Sequence, residues 1–179
     1  MKDSRLKGII ALAVVTILAF GVIYGSKILV KDEGDKKPGG DQVQEDLPGA
    51  IDVEGADGIV SAREITDDSD TVTSYSVVAK ARGFAPNLTL EVIFESDAKT
   101  IQEVKVVSHG ETPGYGAKME EDNYMDQFKG ISAPIYLKGN APSADNGEID
   151  AISGATVTTE GLLKIVNNAY EFISAHAGK

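Results

Sequence analysis

The chain has 179 residues, and 28 acidic residues against 17 basic ones give it a formal net charge of −11 at pH 7. This charge excludes a nucleic-acid binder that works by neutralising phosphates. The sequence has no cysteine, which excludes disulfides, thiolate nucleophiles and cysteine-held metal centres, and its only histidines, His109 and His176, argue against a histidine-rich metal site. A redox protein of this composition therefore needs an organic cofactor. The length suits one globular domain with an appendage.

The appendage lies at the N-terminus. Residues 8–26, GIIALAVVTILAFGVIYGS, carry no charge, and at about 1.5 Å per residue they are long enough to cross one bilayer as a helix. The run exceeds the roughly 7–15 apolar residues usual for a cleaved signal peptide. Basic residues flank it on both sides, so charge leaves its orientation open. We predict a membrane anchor over residues 1–30, a linker rich in glycine and charge over 31–46, and a globular domain over 47–179.

Alternating and β-branched residues predict three strands in the first part of the domain, at residues 72–81, 88–95 and 101–108. Residues 96–99, SDAK, supply turn chemistry between the second and third strands, which predicts a hairpin. Residues 119–129 are predicted to form a short helix and 134–137 a further strand. Residues 47–70 show no pattern that assigns them to an element.

The last predicted element is an amphipathic helix near the C-terminus. Its apolar residues recur at steps of three and four: Leu162, Ile165, Val166, Ala169, Phe172 and Ile173. Thr158 or Thr159 is expected to cap its N-terminus, with Glu160 in the first turn. Strands followed by a packed helix predict an α+β domain with a mainly antiparallel sheet.

Residues 150–156, DAISGAT, lie directly before this helix. A loop with an acid, two hydroxyls and a flexible glycine at a helix start is able to bind or carry a phosphate, because backbone N–H groups there favour an anion. Ser153 and Thr156 also fit ordinary capping hydroxyls, and the residue chemistry alone leaves this interpretation open.

A second block covers residues 109–116, HGETPGYG, and continues to 127–130, QFKG. Gly114 and Gly116 permit the backbone to come close to a flat ring, and Pro113 stiffens the approach. An ordinary turn at the end of a hairpin is the alternative.

The two blocks together resemble a known family. Asp-x-x-Ser-Gly-Ala-Thr is similar to the flavinylation motif at which an ApbE-type transferase joins FMN, taken from FAD, to the threonine through a phosphoester. The block at 109–116 resembles the Glu-Thr-Pro-Gly-x-Gly loop of the same FMN-binding domain, although Tyr115 stands where an aliphatic residue is expected. In this order after one membrane span, they resemble the G subunit of the Rnf complex, which is similar to the C subunit of the sodium-pumping NADH:quinone reductase. The resemblance covers the anchor and residues 72–175.

The resemblance implies a role for each matching residue. Thr156 is the expected acceptor of FMN. The residues that the transferase is expected to recognise are Asp150, Ser153, Gly154 and Ala155. Thr158 and the following backbone amides are expected to hold the phosphate. The residues expected to line the flavin ring are Glu111, Thr112, Gly114 and Gly116.

The implied function is electron transfer within a membrane complex. The family's complex couples electron flow between reduced ferredoxin and NAD to Na⁺ or H⁺ transport, with the N-terminus in the cytoplasm and the flavin domain on the outer face of the cell membrane. The expected partners are the other subunits of that complex and the transferase. The chain shows no Gly-x-Gly-x-x-Gly block after a strand and no evident nucleophile–base pair, so we expect a carrier and not a complete catalyst.

Two other functions remain open at this point. One is a flavinylated carrier that serves a different extracytoplasmic electron-transfer chain. The other is an anchored binding domain without flavin, in which the motifs are inert.

Overall fold

The computed structural model describes residues 48–121 and 123–177. The predicted transmembrane run, residues 8–26, and the predicted linker lie outside these ranges. No helix within them is long and apolar enough to cross a membrane.

The domain is built on an antiparallel sheet of five strands that follow one another in chain order. The strands are β1 (Ala50–Ile51), β2 (Ile59–Thr66), β3 (Val72–Ala81), β4 (Leu88–Glu95) and β5 (Ile101–Ser108). The three predicted strands have the predicted bounds, and the predicted hairpin of β4 and β5 is confirmed by their antiparallel register.

Strand β2 was not predicted, and its register explains why. Its pairing with β3 shifts between Ile59 and Ser61 and again between Ile65 and Thr66. The first shift leaves an extra residue, Val60, in β2 and puts the following side chains out of step with a strict two-residue alternation, whereas the second leaves its extra residue, Thr73, in β3. Arg63 and Glu64 in the middle of the strand weaken the signal further.

The core lies between one face of the sheet and the C-terminal helix, α1 (Thr156–His176). Strand β4 buries every second side chain, and the members of this fully buried row are Leu88, Leu90, Val92 and Phe94. The predicted helical stripe is buried against them at Leu162, Ile165, Val166, Ala169 and Ile173. Each large side chain removed from water contributes about 1.5–3 kcal/mol, so this interface fixes the helix on the sheet. The predicted α+β fold is confirmed.

The predicted helix over residues 119–129 is wrong in form. The chain instead makes two short 3₁₀ helices, Gly116–Glu120 and Met125–Phe128. Asn123 lies between them with φ +77°, a left-handed conformation that ends a right-handed helix. Met119 and Phe128 are fully buried, so each short helix is held by one apolar side chain.

A second, smaller sheet leads into the helix. Strand β6 (Ile135–Leu137) confirms the strand predicted at 134–137, and it pairs in parallel with β7 (Gly147–Ile149), which was not predicted. The Asn167 side chain of α1 accepts a hydrogen bond from the Ile135 amide at 2.8 Å and donates one to the Ile135 carbonyl at 3.0 Å. This pair of bonds ties the small sheet to the helix. Strand β7 ends one residue before Asp150.

Candidate functional site

The segment 150–156 connects β7 to α1, and side chains near the second 3₁₀ helix hold its first residue. The Tyr124 hydroxyl donates to the Asp150 carbonyl at 2.9 Å, and the Asp150 amide donates to Gln127 Oε1 at 2.7 Å. Burial raises the pKa of the Tyr124 hydroxyl to about 12, and the charge of Asp150 acts in the same direction. The Asp150 carboxylate is itself exposed, 3.6 Å from Lys138 Nζ. The backbone is therefore fixed while the carboxylate faces solvent.

Helix α1 begins earlier than the sequence suggested. Its first residue is Thr156, and the N-cap is Ala155, without a side-chain capping bond. The prediction of Thr158 or Thr159 as the cap is wrong, because both hydroxyls bond elsewhere. Thr158 Oγ1 donates to Glu111 Oε2 at 2.5 Å, and Thr159 Oγ1 donates to the Ala155 carbonyl at 3.0 Å. Glu160 consequently lies beyond the first turn.

This helix start leaves one end of α1 open to an anion. The Thr159 amide bonds the Ala155 carbonyl at 3.0 Å, so the helical hydrogen bonds begin there. The amides of residues 156–158 precede that bond and point out of the helix end, where they favour negative charge. The amides available to a phosphate are thus those up to Thr158, whereas the expected amides after Thr158 are used within the helix.

The buried carboxylate of Glu111 joins three segments of the chain. Glu111 is only 5% exposed. Its Oε1 accepts from the Ala85 amide at 3.0 Å, and its Oε2 accepts from the Thr158 hydroxyl. The carboxylate therefore links the loop after β5, the loop between β3 and β4, and the first turn of α1. We call this set of bonds the Glu111 tie.

The Glu111 tie also explains why residue 116 is a glycine. A Cβ built on Gly116 would lie 2.5 Å from both Glu111 Oε2 and Thr158 Oγ1, far inside van der Waals contact. Any side chain there would push the carboxylate and the helix apart. The neighbouring protein atoms thus require glycine at this position, which also lies in the cavity wall described below.

His109 orients the start of the same loop. Its Nδ1 accepts from the Glu111 amide at 3.0 Å, and its Nε2 lies 3.1 Å from Glu120 Oε2. A ring nitrogen that accepts a bond carries no proton, so the proton of the neutral ring is on Nε2, facing Glu120. The imidazole thereby fixes the backbone from which the Glu111 side chain extends.

A cavity of about 480 Å³ opens beside the helix start. Most of the predicted site residues form its wall: Glu111, Thr112, Gly116, Gly154, Ala155, Thr156 and Thr158. The predicted residues that do not line it are Gly114, Asp150 and Ser153. Glu111 and Thr158, which are 47 residues apart in the sequence, thus lie in the wall of the same cavity.

The rest of the wall is apolar and exposed. Phe84 is 66% exposed, Tyr115 is 58% exposed and Val157 is 50% exposed. Sequence reasoning did not assign Phe84 or Val157 to the site. Phe84 stands in the loop RGFAPN, and the one available signal was a large aromatic residue in an otherwise polar, turn-forming segment.

The cavity has the features that FMN requires. Volumes of about 300–1,000 Å³ are typical of sites for ligands of this size. The exposed apolar side chains suit a flat ring, the end of α1 suits a phosphate, and the exposed residue Thr156 lines the same cavity.

Comparison with known proteins agrees with this chemistry. Residues 83–171 match the family model of the FMN-binding domain. The chain is 29% identical over 145 residues to the G subunit of the ion-translocating oxidoreductase complex of Methanosarcina acetivorans, a match that covers 76% of this chain and 75% of that protein. It is 33% identical over 105 residues to the G subunit of the proton-translocating ferredoxin:NAD(+) oxidoreductase complex of Clostridium ljungdahlii, which covers 59% of this chain and 56% of the relative.

A solved structure supports the fold. The crystal structure of Shewanella oneidensis NqrC is similar, with a TM-score of 0.53 and 26% identity over 64% of this chain and 61% of that chain. The suspected resemblance to the G subunit of the Rnf complex and to its counterpart in the sodium-pumping reductase is thus confirmed at the level of family. The chain spans 56% of the Clostridium relative and 61% of NqrC.

Proposed function

We propose that this chain carries FMN joined through a phosphoester to the Thr156 hydroxyl. The observation that carries the proposal is the exposure of Thr156 in the cavity wall at the first residue of α1. The neighbouring hydroxyls of Thr158 and Thr159 are buried and engaged with Glu111 and Ala155, which leaves Thr156 as the accessible acceptor in the first turn. The match to the FMN-binding domain includes this residue.

The residues around Thr156 would hold the cofactor in two ways. The amides of residues 156–158 would stabilise the phosphate at the positive end of the helix. The apolar wall of the cavity would cover part of the flavin ring. When bound, FMN supplies reversible electron transfer, and an ester at its phosphate leaves the ring free to do so. Glu111 and Gly116 serve mainly to shape the wall, because the carboxylate is committed to Ala85 and Thr158.

The exposed carboxylate of Asp150 suits recognition by a separate maturation enzyme. Its backbone is held by Tyr124 and Gln127, so the side chain is offered to solvent from a fixed position. An ApbE-type transferase is the proposed partner, recognising Asp150 together with the segment Ser153 to Ala155 and taking FMN from FAD.

We further propose that the chain is an electron-carrying subunit of an Rnf-type complex that couples ferredoxin:NAD electron transfer to Na⁺ or H⁺ translocation. The support is the similarity to the two relatives above, whose names state ion or proton translocation. Residues 1–30 would anchor it in the cell membrane with the N-terminus in the cytoplasm, and residues 31–46 would tether the flavin domain, 47–179, on the outer face. Co-purification with the other subunits separates this function from a flavinylated carrier of another chain.

The first experiment is the intact mass of the denatured protein after expression with a flavin transferase. The wild type should gain the mass of one FMN less water, Thr156→Ser should keep this adduct because it retains the hydroxyl, and Thr156→Val should lose it. The valine replaces a hydroxyl with a methyl group at an exposed position, so the fold should be retained, which circular dichroism checks. Full labelling of folded Thr156→Val would contradict the assignment, and an unlabelled but folded wild type would refute covalent attachment.

A further inference from the structure

Large apolar side chains that remain at least about half exposed are few in the part of the chain that the structure describes. They are Phe84, Val107, Tyr115 and Val157. Three of them, all except Val107, line the cavity beside Thr156. When most exposed apolar side chains of a surface line one cavity, that cavity is typical of a binding site for a ligand or a partner.

Tyr115 is held toward this cavity by its own backbone. Its amide donates to the Thr112 carbonyl at 3.1 Å, and its carbonyl accepts from the Lys118 amide at 3.0 Å. The next residue, Gly116, is packed against Glu111 and leaves no space for a side chain. These contacts fix the backbone around Tyr115, and its side chain stays outside the core.

The Tyr115 ring also lies against the segment that carries the proposed acceptor. A Cβ built on Gly154 would lie 3.5 Å from Tyr115 Cδ1, an ordinary van der Waals distance. Gly154 has φ +76°, so glycine is favoured there for its backbone, and the ring approaches the bare Cα side. Thr156 follows two residues later. An aromatic ring therefore borders the space that a group attached to Thr156 would enter.

We propose that Tyr115 stacks on the flavin ring of FMN held at Thr156 and quenches its fluorescence, with Phe84 and Val157 completing the apolar contact. This inference rests on the proposed attachment of FMN. Aromatic groups at van der Waals contact gain energy from offset stacking beyond their buried area. An electron-rich phenol in such contact lends one electron to the excited flavin and takes it back as the pair relaxes, so no net oxidation occurs.

The test measures fluorescence per attached flavin in full-length protein loaded by the transferase. Intact mass quantifies the adduct in each sample, so attachment and quenching are read separately. The variants are Tyr115→Leu, Tyr115→Phe and Tyr115→Trp, and Tyr136→Leu is the control because Tyr136 lies on β6 and does not line the cavity.

We expect the leucine and phenylalanine variants to emit several-fold more light per flavin than the wild type. Tryptophan, which is also a good electron donor, should keep the emission low, and Tyr136→Leu should match the wild type. The phenylalanine variant separates quenching from packing, since it keeps the ring and removes the electron-rich phenol.

Two outcomes contradict the inference in different ways. If every variant carries the adduct and all emit equally, Tyr115 does not contact the flavin ring, while the proposed attachment stands. If the folded wild type carries no adduct, the proposed attachment fails and this inference fails with it.

Discussion

Replacing Glu111 with alanine should destabilise the domain more than any exposed acidic substitution. The carboxylate is 5% exposed and accepts from the Ala85 amide and the Thr158 hydroxyl. Removing it leaves both donors without their partner in a buried place, and each buried polar group that loses its bond costs about 1–3 kcal/mol. The expected loss is therefore about 2–6 kcal/mol in the free energy of unfolding.

Two further variants make this prediction specific. Glu111→Gln keeps one carbonyl oxygen for the Ala85 amide, so it should cost less than alanine, about 1–2 kcal/mol. Glu160→Ala is the matched control, because Glu160 is exposed on the same helix whose start Glu111 holds, and it should stay within about 0.5 kcal/mol of the wild type.

The assay is urea denaturation of each variant at neutral pH, followed by circular dichroism, with equal slopes required for comparison. A double-mutant cycle with Thr158→Val should give a coupling energy of about 0.5–3 kcal/mol, because the two side chains share one buried bond. If Glu111→Ala is as stable as Glu160→Ala, the carboxylate does not hold the three segments together and the Glu111 tie is wrong.

Two pH-dependent predictions follow from titratable side chains outside the cavity. Burial raises the pKa of Asp97, but hydrogen bonds from Thr100 and Lys99 outweigh it and lower the pKa below its usual value. Its contribution is thus present above about pH 3.9 and lost as pH falls through the lower folded value, so Asp97→Ala should cost about 0.5–1 kcal/mol at pH 7 and progressively less in acid, measured by urea denaturation. Burial raises the pKa of Tyr124 to about 12; this contribution is complete below about pH 10 and lost as pH rises through the folded value. Between those two pH values, the free energy of unfolding of the wild type should therefore fall more steeply with pH than that of Tyr124→Phe, and equal slopes would refute the raised pKa of Tyr124.

The helices and strands that could be predicted from the sequence are those with a regular apolar pattern. Strand β4 alternates without interruption from Leu88 to Glu95, and α1 keeps its apolar stripe through several turns, so both could be predicted from the sequence. Strand β2 has an extra residue that interrupts its alternation, and β7 has only three residues, one of them glycine and one charged, so neither shows a clear strand pattern. The bend at Asn123 depends on a backbone conformation that residue type alone does not impose.

The part of the site that could be predicted is likewise the part whose residues are adjacent in the sequence. The segment from Asp150 to Thr156 could be predicted because its residues are adjacent and precede a recognisable helix. The bond between Glu111 and Thr158 spans 47 positions, and no local pattern indicates it. The cap prediction failed for this reason: Thr158 has a capping hydroxyl, but a buried carboxylate from a distant loop binds it.

The position of the Glu111 carboxylate also explains the two glycines next to it. Gly116 leaves room for the carboxylate of Glu111, and Gly83, on the opposite side, also faces it so closely that a side chain would collide. Two glycines therefore leave room for the buried carboxylate. The position between Gly114 and Gly116 carries an exposed side chain in the cavity wall, and this chain places Tyr115 there. A substitution at residue 115 should consequently change the properties of a bound flavin while leaving the Glu111 tie intact, whereas a substitution at residue 116 should disturb both.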